Sequence, residues 1–316
     1  MHVEADPLGD LPVRFWDSYM LFEQAQKHFD AQQYGEAAVI YGRILEEVPE
    51  SELAAPAAFN LALSLEEMGR YAQAAEGYES LLASHPGAVE TAEVLFRLGR
   101  CREQTGEWEE AARIFGDAVG QWPLTQVEAV TAQARFGVAL YMLDRAEESL
   151  ETLRDALEEY RDLKSKRIRL PGNPIARAYF TLGEIYFERF TRVSLEVPPD
   201  DLEVALEGKG RLLLLARAQY VQAIRLVVPE WVTASLYRIG KGYEMFYRAV
   251  LSAPDPPDLL ESERERYRRE LEATISPVLQ KAMAAHRRNV QTAAEMGVEN
   301  QWVTASRLKL AELEAD

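Results

Sequence analysis

The sequence is short of the residues that most often carry chemistry. Cys101 is the single cysteine among 316 residues, so no disulfide can form within the chain. That is compatible with the cytosol and with a periplasmic protein that does not rely on disulfides. Set in an apolar helical stretch, Cys101 reads as a buried structural thiol. The four histidines, His2, His28, His85 and His286, are too scattered to make metal-ligand spacings with one another or with the cysteine, and no metal is expected. His28 reads as a packing residue. No Gly-x-x-x-x-Gly-Lys-Ser/Thr loop is present. The two Gly-Lys-Gly triplets at 208–210 and 240–242 follow no strand, so no nucleotide or other cofactor is expected. Glu46-Glu47 and Glu109-Glu110 are neighbours in sequence only, because adjacent helical residues do not face each other. No Ser–His–Asp arrangement stands out, and an enzyme is not expected.

Long hydrophobic runs are also missing. No stretch of 18 apolar residues exists, so no helix is expected to span a membrane. The opening Met-His-Val-Glu-Ala-Asp-Pro-Leu-Gly-Asp lacks the basic and apolar regions of a secretory leader; either none exists or it has been removed. Positive charge is in deficit, with 35 Lys and Arg against 52 Asp and Glu. Residues 1–100 hold 6 basic and 17 acidic side chains, 101–200 hold 13 and 18, and 201–316 hold 16 and 17. An acidic front half argues against nucleic acid and anionic lipid as main partners.

What is present is a unit of 37 residues written three times. Phe22, Phe59 and Phe96 keep that spacing, as do Ala37, Ala74 and Ala111. So do Tyr41, Tyr78 and Phe115, and Pro49, Pro86 and Pro123. Within each unit apolar residues recur at the helical period, pause near Gln32–Gly35, Met68–Tyr71 or Thr105–Trp108, and resume. That predicts helical hairpins. Glycine at the second and third turns allows a left-handed helix end, and the prolines close the second helices. Ala25, Ala62 and Gly99 hold one first-helix position. Small residues there and at 37, 74 and 111 let two helices approach, and the ring at 41, 78 or 115 fills the space beside them. A repeat of this length buries its apolar face only against its neighbours.

These residues resemble the tetratricopeptide repeat, with Leu98-Gly99, Ala111, Phe115, Ala118 and Pro123 matching its signature. Later copies read Leu182-Gly183-Glu184-Ile185-Tyr186 and Ile239-Gly240-Lys241-Gly242-Tyr243. A weaker fourth unit runs from about Val130 to Glu159, with Gly137 and Ala156 in place, Ser149 for the alanine and Leu153 for the ring. The resemblance implies an all-α, right-handed solenoid of about six hairpins with a C-terminal helical cap. The expected organisation is an extension over 1–16, four repeats over 17–163, a basic linker over 164–173, two divergent repeats with an inserted long helix over 174–251, and capping helices over 252–316.

In the divergent part, the first helix of the fifth unit is expected to end near Arg192. Asp200 or Asp201 would cap a long second helix carrying Ala216, Tyr220 and Ala223, with Gly208 and Gly210 weakening its first turns. The sixth unit opens at Trp231. After the Pro-rich 252–258 three helices are expected: Leu259–Ile275, a second capped by Ser276 with Pro277 at its first position, and a third from Asn300 to about Glu314. Trp302, Ala305, Leu308 and Leu310 would form the apolar face of the cap. The basic run Lys164–Arg169 reads as a solvated connector or a contact point for an acidic partner.

The phrases RLLLLARAQYVQAI (211–224), EWVTASLYRIGKGYEMFYRAVLSAPDPPDL (230–259) and KAMAAHRRNVQTAAEMGVENQWVTASRLKLAEL (281–313) resemble envelope-associated tetratricopeptide proteins of myxobacteria and related deltaproteobacteria. Some of these serve gliding motility in the periplasm. That resemblance implies a periplasmic or envelope-associated scaffold; a cytoplasmic adaptor is the alternative, and an enzyme with a site near Arg192–Arg211 a more distant one.

First helices of such arrays line a concave face. One position there holds Phe22, Phe59, Phe96, Phe180 and Tyr237, interrupted by Ala134. A turn further on stand Gln26, Leu63, Arg100, Val138, Glu184 and Lys241, and then Phe29, Glu66, Glu103, Tyr141, Phe187 and Glu244. Aromatic rings in a groove are common anchors for a peptide or helix. The family's carboxylate clamp would need Asn60 and Arg97, which are present, but Phe22, Gln26 and Glu93 occupy its other positions. The expected partner is therefore a protein segment docked by Phe22, Gln26, Phe29, Phe59, Asn60, Leu63, Phe96, Arg97, Arg100, Tyr141, Phe180 and Tyr237.

Overall fold

The structure, a computed structural model, describes residues 13–85, 91–257 and 259–315. His2, Pro86, Asp258 and the first twelve residues of the expected extension lie outside the described residues. All regular structure among the described residues is helical. The elements are α1 (Val13–Asp30), α2 (Tyr34–Glu47), α3 (Ala54–Glu67), α4 (Tyr71–Ser84), α5 (Thr91–Thr105), α6 (Trp108–Gln121) and α7 (Gln126–Met142). They continue with α8 (Ala146–Ser165), α9 (Gly172–Arg192), α10 (Pro199–Ile224), α11 (Pro229–Leu251), α12 (Glu261–Met296) and α13 (Gln301–Ala315). The chain divides into two compact units, Met1–Ala132 and Gln133–Asp316. The division falls inside α7, not at the basic linker. In the first unit each helix from α1 to α6 packs on the next. In the second unit α8 through α13 pack in succession, and α11 also touches α9 and α13. Packing between consecutive helices is the way a helical solenoid builds its core.

The small-then-large order explains the packing. A side-chain carbon added at Gly99 would lie 2.7 Å from the Phe115 ring, and one at Gly137 would lie 2.7 Å from Leu153. In the first unit Ala25, Ala37, Tyr41 and Ile44 form one buried cluster, and Ala62, Ala74, Tyr78 and Leu81 another. The fourth repeat keeps the geometry with different atoms. The Ser149 hydroxyl, buried where alanine usually stands, donates to the Gly137 carbonyl at 2.6 Å. Gly69 and Gly106 take φ of 73° and 80° at their turns, a region open to glycine without steric cost. The first turn differs, placing Gln32 rather than a glycine at φ 60°.

Several boundaries differ from expectation. α1 includes residues 13–16. The linker shrinks to 166–171, because α8 runs on to Ser165 and α9 starts at Gly172. α10 begins at Pro199, with Pro198 at the capping position and Asp200 and Asp201 inside the first turn. There their charges favour the helix N-terminus. Gly208 and Gly210 interrupt nothing. α11 opens at Pro229, two residues before Trp231.

The largest correction is at Pro277. Residues 261–296 form one helix with this proline inside it, not two helices. Proline at 277 removes the amide that would bond the Ala273 carbonyl. The Ser276 hydroxyl supplies a replacement, donating to that same carbonyl at 3.2 Å. α12 then ends at Gly297 with φ 66°. The cap's buried face is also different: Val303, Ser306 and Leu313 are buried, while Leu308 is 62% exposed.

α12 is the second helix of the last hairpin. A carbon added at Gly240 would meet the His286 ring at 2.6 Å, so His286 fills the place that Phe115 fills beside Gly99. The ring is fully buried. Its Nδ1 is 3.1 Å from the Ser306 hydroxyl and Tyr237 stacks against it with centroids 5.7 Å apart. Burial, and then the nearby Lys309 charge, push its pKa down to about 4. A depressed histidine favours the fold while it stays neutral, so its contribution is complete above the unfolded value of about 6.5. It is lost as pH falls from there to about 4, where the folded state also takes up the proton. We expect the second unit to lose on the order of 3 kcal/mol across that window through this residue. His286→Phe should remove that part of the slope in urea titrations run at several pH values. Parallel profiles for the two proteins would contradict it.

Candidate interaction surface

Each ladder ring leans on the large side chain of its own hairpin. Phe22 meets Tyr41 edge-on with centroids 5.4 Å apart, Phe59 lies 6.0 Å from Tyr78, and Phe96 lies 5.9 Å from Phe115. Phe96 also touches Trp122, at 6.1 Å. These three rings are half-buried, leaving part of each face free on α1, α3 and α5. Along the same helices Gln26 and Arg100 are exposed, and Leu63 is half-buried. Phe29 packs edge-on against Tyr34 at 5.2 Å.

Of the two clamp-like residues, Arg97 is engaged within the chain. Asn60 is half-buried, and its backbone carbonyl accepts from the Ser64 hydroxyl at 2.7 Å. Arg97 reaches back to Glu66 at 3.4 Å, is held by Glu93 at 3.1 Å, and lies over the Phe59 ring at 5.5 Å. Glu66 is buried, and it also accepts from the Tyr78 hydroxyl at 2.9 Å and pairs with Arg100 at 3.2 Å. Burial, and then the adjoining Glu66 charge, push the Tyr78 phenol far above its ordinary range. Arg97 thus neutralises a buried carboxylate of the preceding hairpin. Cys101 is buried in the same cluster, its thiol pushed up to about 12 by burial and by Glu66.

In the second unit the ladder rings meet Trp302 of α13. Phe180 is buried, with Tyr220, Trp231 and Trp302 at centroid distances of 5.6, 5.2 and 6.4 Å. Tyr237 lies 5.5 Å from Trp302. Trp302 of α13 stands three residues before Ala305, as Phe22 stands before Ala25, so α13 supplies the next ring and covers the two before it. Tyr141 is half-buried and its hydroxyl donates to Glu188. Phe180 is thus buried among these rings, while Tyr237 is half-buried beside Trp302.

The buried carboxylate recurs here. Glu184 accepts from the Tyr220 hydroxyl and pairs with Arg238 of the following hairpin. Burial pushes the Glu184 carboxyl above the ordinary range, with Arg238 and Tyr220 pulling it back. Burial works against the Arg238 charge, and Glu184 together with the neighbouring tyrosines more than offsets it. Sequence reasoning placed Glu66 and Glu184 among mixed charges of the groove. The signal it passed over is the pairing of each with a tyrosine of its own hairpin and an arginine of the next.

Residues 22–88 and 59–125 match the family model of the tetratricopeptide repeat, so this part of the chain carries tetratricopeptide repeats. None of the curated proteins matches the chain. Among solved structures, it is similar to a tetratricopeptide repeat protein from Parabacteroides merdae, with 17% identity over 85% of this chain and 99% of that one, TM-score 0.45. The C-terminal part of a repeat protein from Cytophaga hutchinsonii gives 14% identity, 84% and 98% coverage and a TM-score of 0.42. The TPR2AB domain of yeast Sti1 in complex with pHSP90 gives 15%, 84%, 98% and 0.34. The family match alone carries the assignment.

Proposed function

We propose that the chain is a protein–protein interaction scaffold whose first unit docks a helix or extended segment of a partner across α1, α3 and α5. The observation that carries this reading is the row of half-buried rings, Phe22, Phe59 and Phe96, at one register of three successive first helices, flanked by Gln26, Leu63 and Arg100. With Arg97 tied to Glu66 and Glu93, an apolar face suits this row better than a terminal carboxylate. Residues 1–132 hold 8 basic and 23 acidic side chains, which would steer basic flanks toward it. The groups with raised pKa, Tyr78, Tyr220 and Glu184, are buried and bonded to neighbouring side chains, as parts of the scaffold rather than of a reaction site. The phrases of the second half favour an assembly at the bacterial cell envelope, such as a motility machine, over a cytosolic adaptor. A secretion leader on the full gene product would support that setting.

The test is the double substitution Phe59→Ala/Phe96→Ala, with Leu63→Glu as a variant that removes no ring contact. Partner capture from the native host, quantified by mass spectrometry, should weaken by at least about 2 kcal/mol if the rings are anchors. Melting is followed in parallel, because truncating a packed ring also costs stability. Capture that survives both variants would refute the docking role.

A further inference from the structure

A second surface lies in the second unit, on another side of α9 from its ladder residues. Tyr179, Leu182 and Tyr186 sit roughly 130° around the helix from Phe180, Glu184 and Phe187, at 3.6 residues per turn. They floor a cleft of about 410 Å³ walled by α8 and α10. The α8 wall presents Arg154, Leu157, Glu158 and Arg161, and the α10 wall presents Ala218, Gln219 and Gln222. Arg154 donates to the Tyr186 hydroxyl at 2.5 Å and lies over its ring at 5.8 Å. Arg161 bonds the Leu157 carbonyl at 3.1 Å. Neither arginine has a carboxylate partner among the described residues. One turn before Ala218, the α10 wall continues with Leu214 and Leu215, 59% and 36% exposed.

Charge follows the same line. Residues 133–316 hold 27 basic and 29 acidic side chains, so this unit lacks the acidic excess of the first. The α8 wall leads directly into Lys164, Lys166, Arg167 and Arg169, all exposed. Lys166 is paired with Asp162 at 2.6 Å, and Arg167 and Arg169 have no carboxylate partner among the described residues. Glu158 is the one carboxylate in the cleft lining.

We propose that this cleft docks an acidic amphipathic segment of a partner protein. Its carboxylates would meet Arg154, Arg161 and the basic run that follows. Its apolar side chains would lie on Leu214, Leu215 and Ala218. Charge complementarity selects this occupant, since paired opposite potentials set both encounter rate and specificity.

The test uses the full chain and three labelled synthetic peptides in fluorescence anisotropy: a Glu/Leu/Ala amphipathic helix, the same peptide with Lys for every Glu, and a Glu/Ala peptide without Leu. The first should bind, weaken with added salt, and protect α8 and α10 amides from exchange. Arg161→Glu should weaken it by at least about tenfold, and Leu215→Ser should weaken it with the melting temperature unchanged. Both side chains are exposed enough for the variants to fold. Equal binding of the Lys peptide or of the Leu-free peptide overturns the proposal. So does a first peptide indifferent to both variants, or salt-sensitive self-association abolished by Arg161→Glu in the absence of peptide binding, which would assign the cleft to a second copy of the chain.

Discussion

Arg238→Met should destabilise the second unit by about 3–5 kcal/mol, because it leaves the Glu184 carboxylate buried without its counter-charge. Glu184 is 7% exposed and bonded otherwise to the Tyr220 hydroxyl. Methionine keeps most of the stem packing against Phe187 and Trp302, over which the guanidinium lies at 5.2 and 5.7 Å, so the change is chiefly one of charge. The deficit should depend on pH with a definite sign. Without Arg238 the Glu184 carboxyl, already raised by burial, moves further up. A raised carboxyl contributes most at pH below its unfolded value and loses that contribution as pH rises through the folded one. The variant should therefore be closest to wild type in mild acid and furthest from it above neutrality. Exchange rates of α9 and α11 amides would isolate this unit from the first. Adding Glu184→Gln should recover most of the loss, since replacing both charges removes the unpaired one. A loss below about 1 kcal/mol would mean that the pair resembles an exposed one.

The hairpins were legible because helical period and the small–large order are local properties. Ala25 precedes Tyr41 by the same 16 residues that separate Ala62 from Tyr78, Gly99 from Phe115 and Gly137 from Leu153. In the last two hairpins the large partner comes 37 and 46 residues after its glycine, as Tyr220 after Gly183 and His286 after Gly240. Both delays come from long helices that extend the hairpins; Tyr220 stays legible through its pattern with Ala216 and Ala223, whereas nothing local marks His286 as the partner of Gly240. The Ser276-Pro277 pair reads locally as a helix start. In the fold Ser276 repairs the carbonyl left open by Pro277, and the helix runs on to bury Ala282, Met283 and His286 beyond the break. Arg97 matched a binding position in isolation, yet its partner Glu66 lies 31 residues earlier. Buried charge pairs between hairpins are long-range facts that neither periodicity nor composition carries.

The close approach of α9 and α10 gives the last prediction, two substitutions of opposite sign at glycines inside helices. A carbon at Gly183 would sit 2.5 Å from the Tyr220 ring. That ring is 1% exposed and its hydroxyl is fixed on Glu184, so it has nowhere to retreat. Gly183→Leu should therefore cost about 3 kcal/mol, the upper end for overpacking a filled core. At Gly208 no atom lies within 4 Å of the added carbon and φ is ordinary for a helix. Gly208→Ala should gain up to about 1 kcal/mol from helix propensity alone. The two lie on the paired helices of one hairpin, so unfolding of the second unit followed by amide exchange reads both in the same experiment. Equal effects at the two sites would mean that α9 and α10 are not held together by the missing side chain at 183. A stabilising Gly183→Leu would move the contact between these helices to the Lys209 end of the hairpin, where the ammonium bonds the Phe190 and Val193 carbonyls at 3.0 and 2.7 Å.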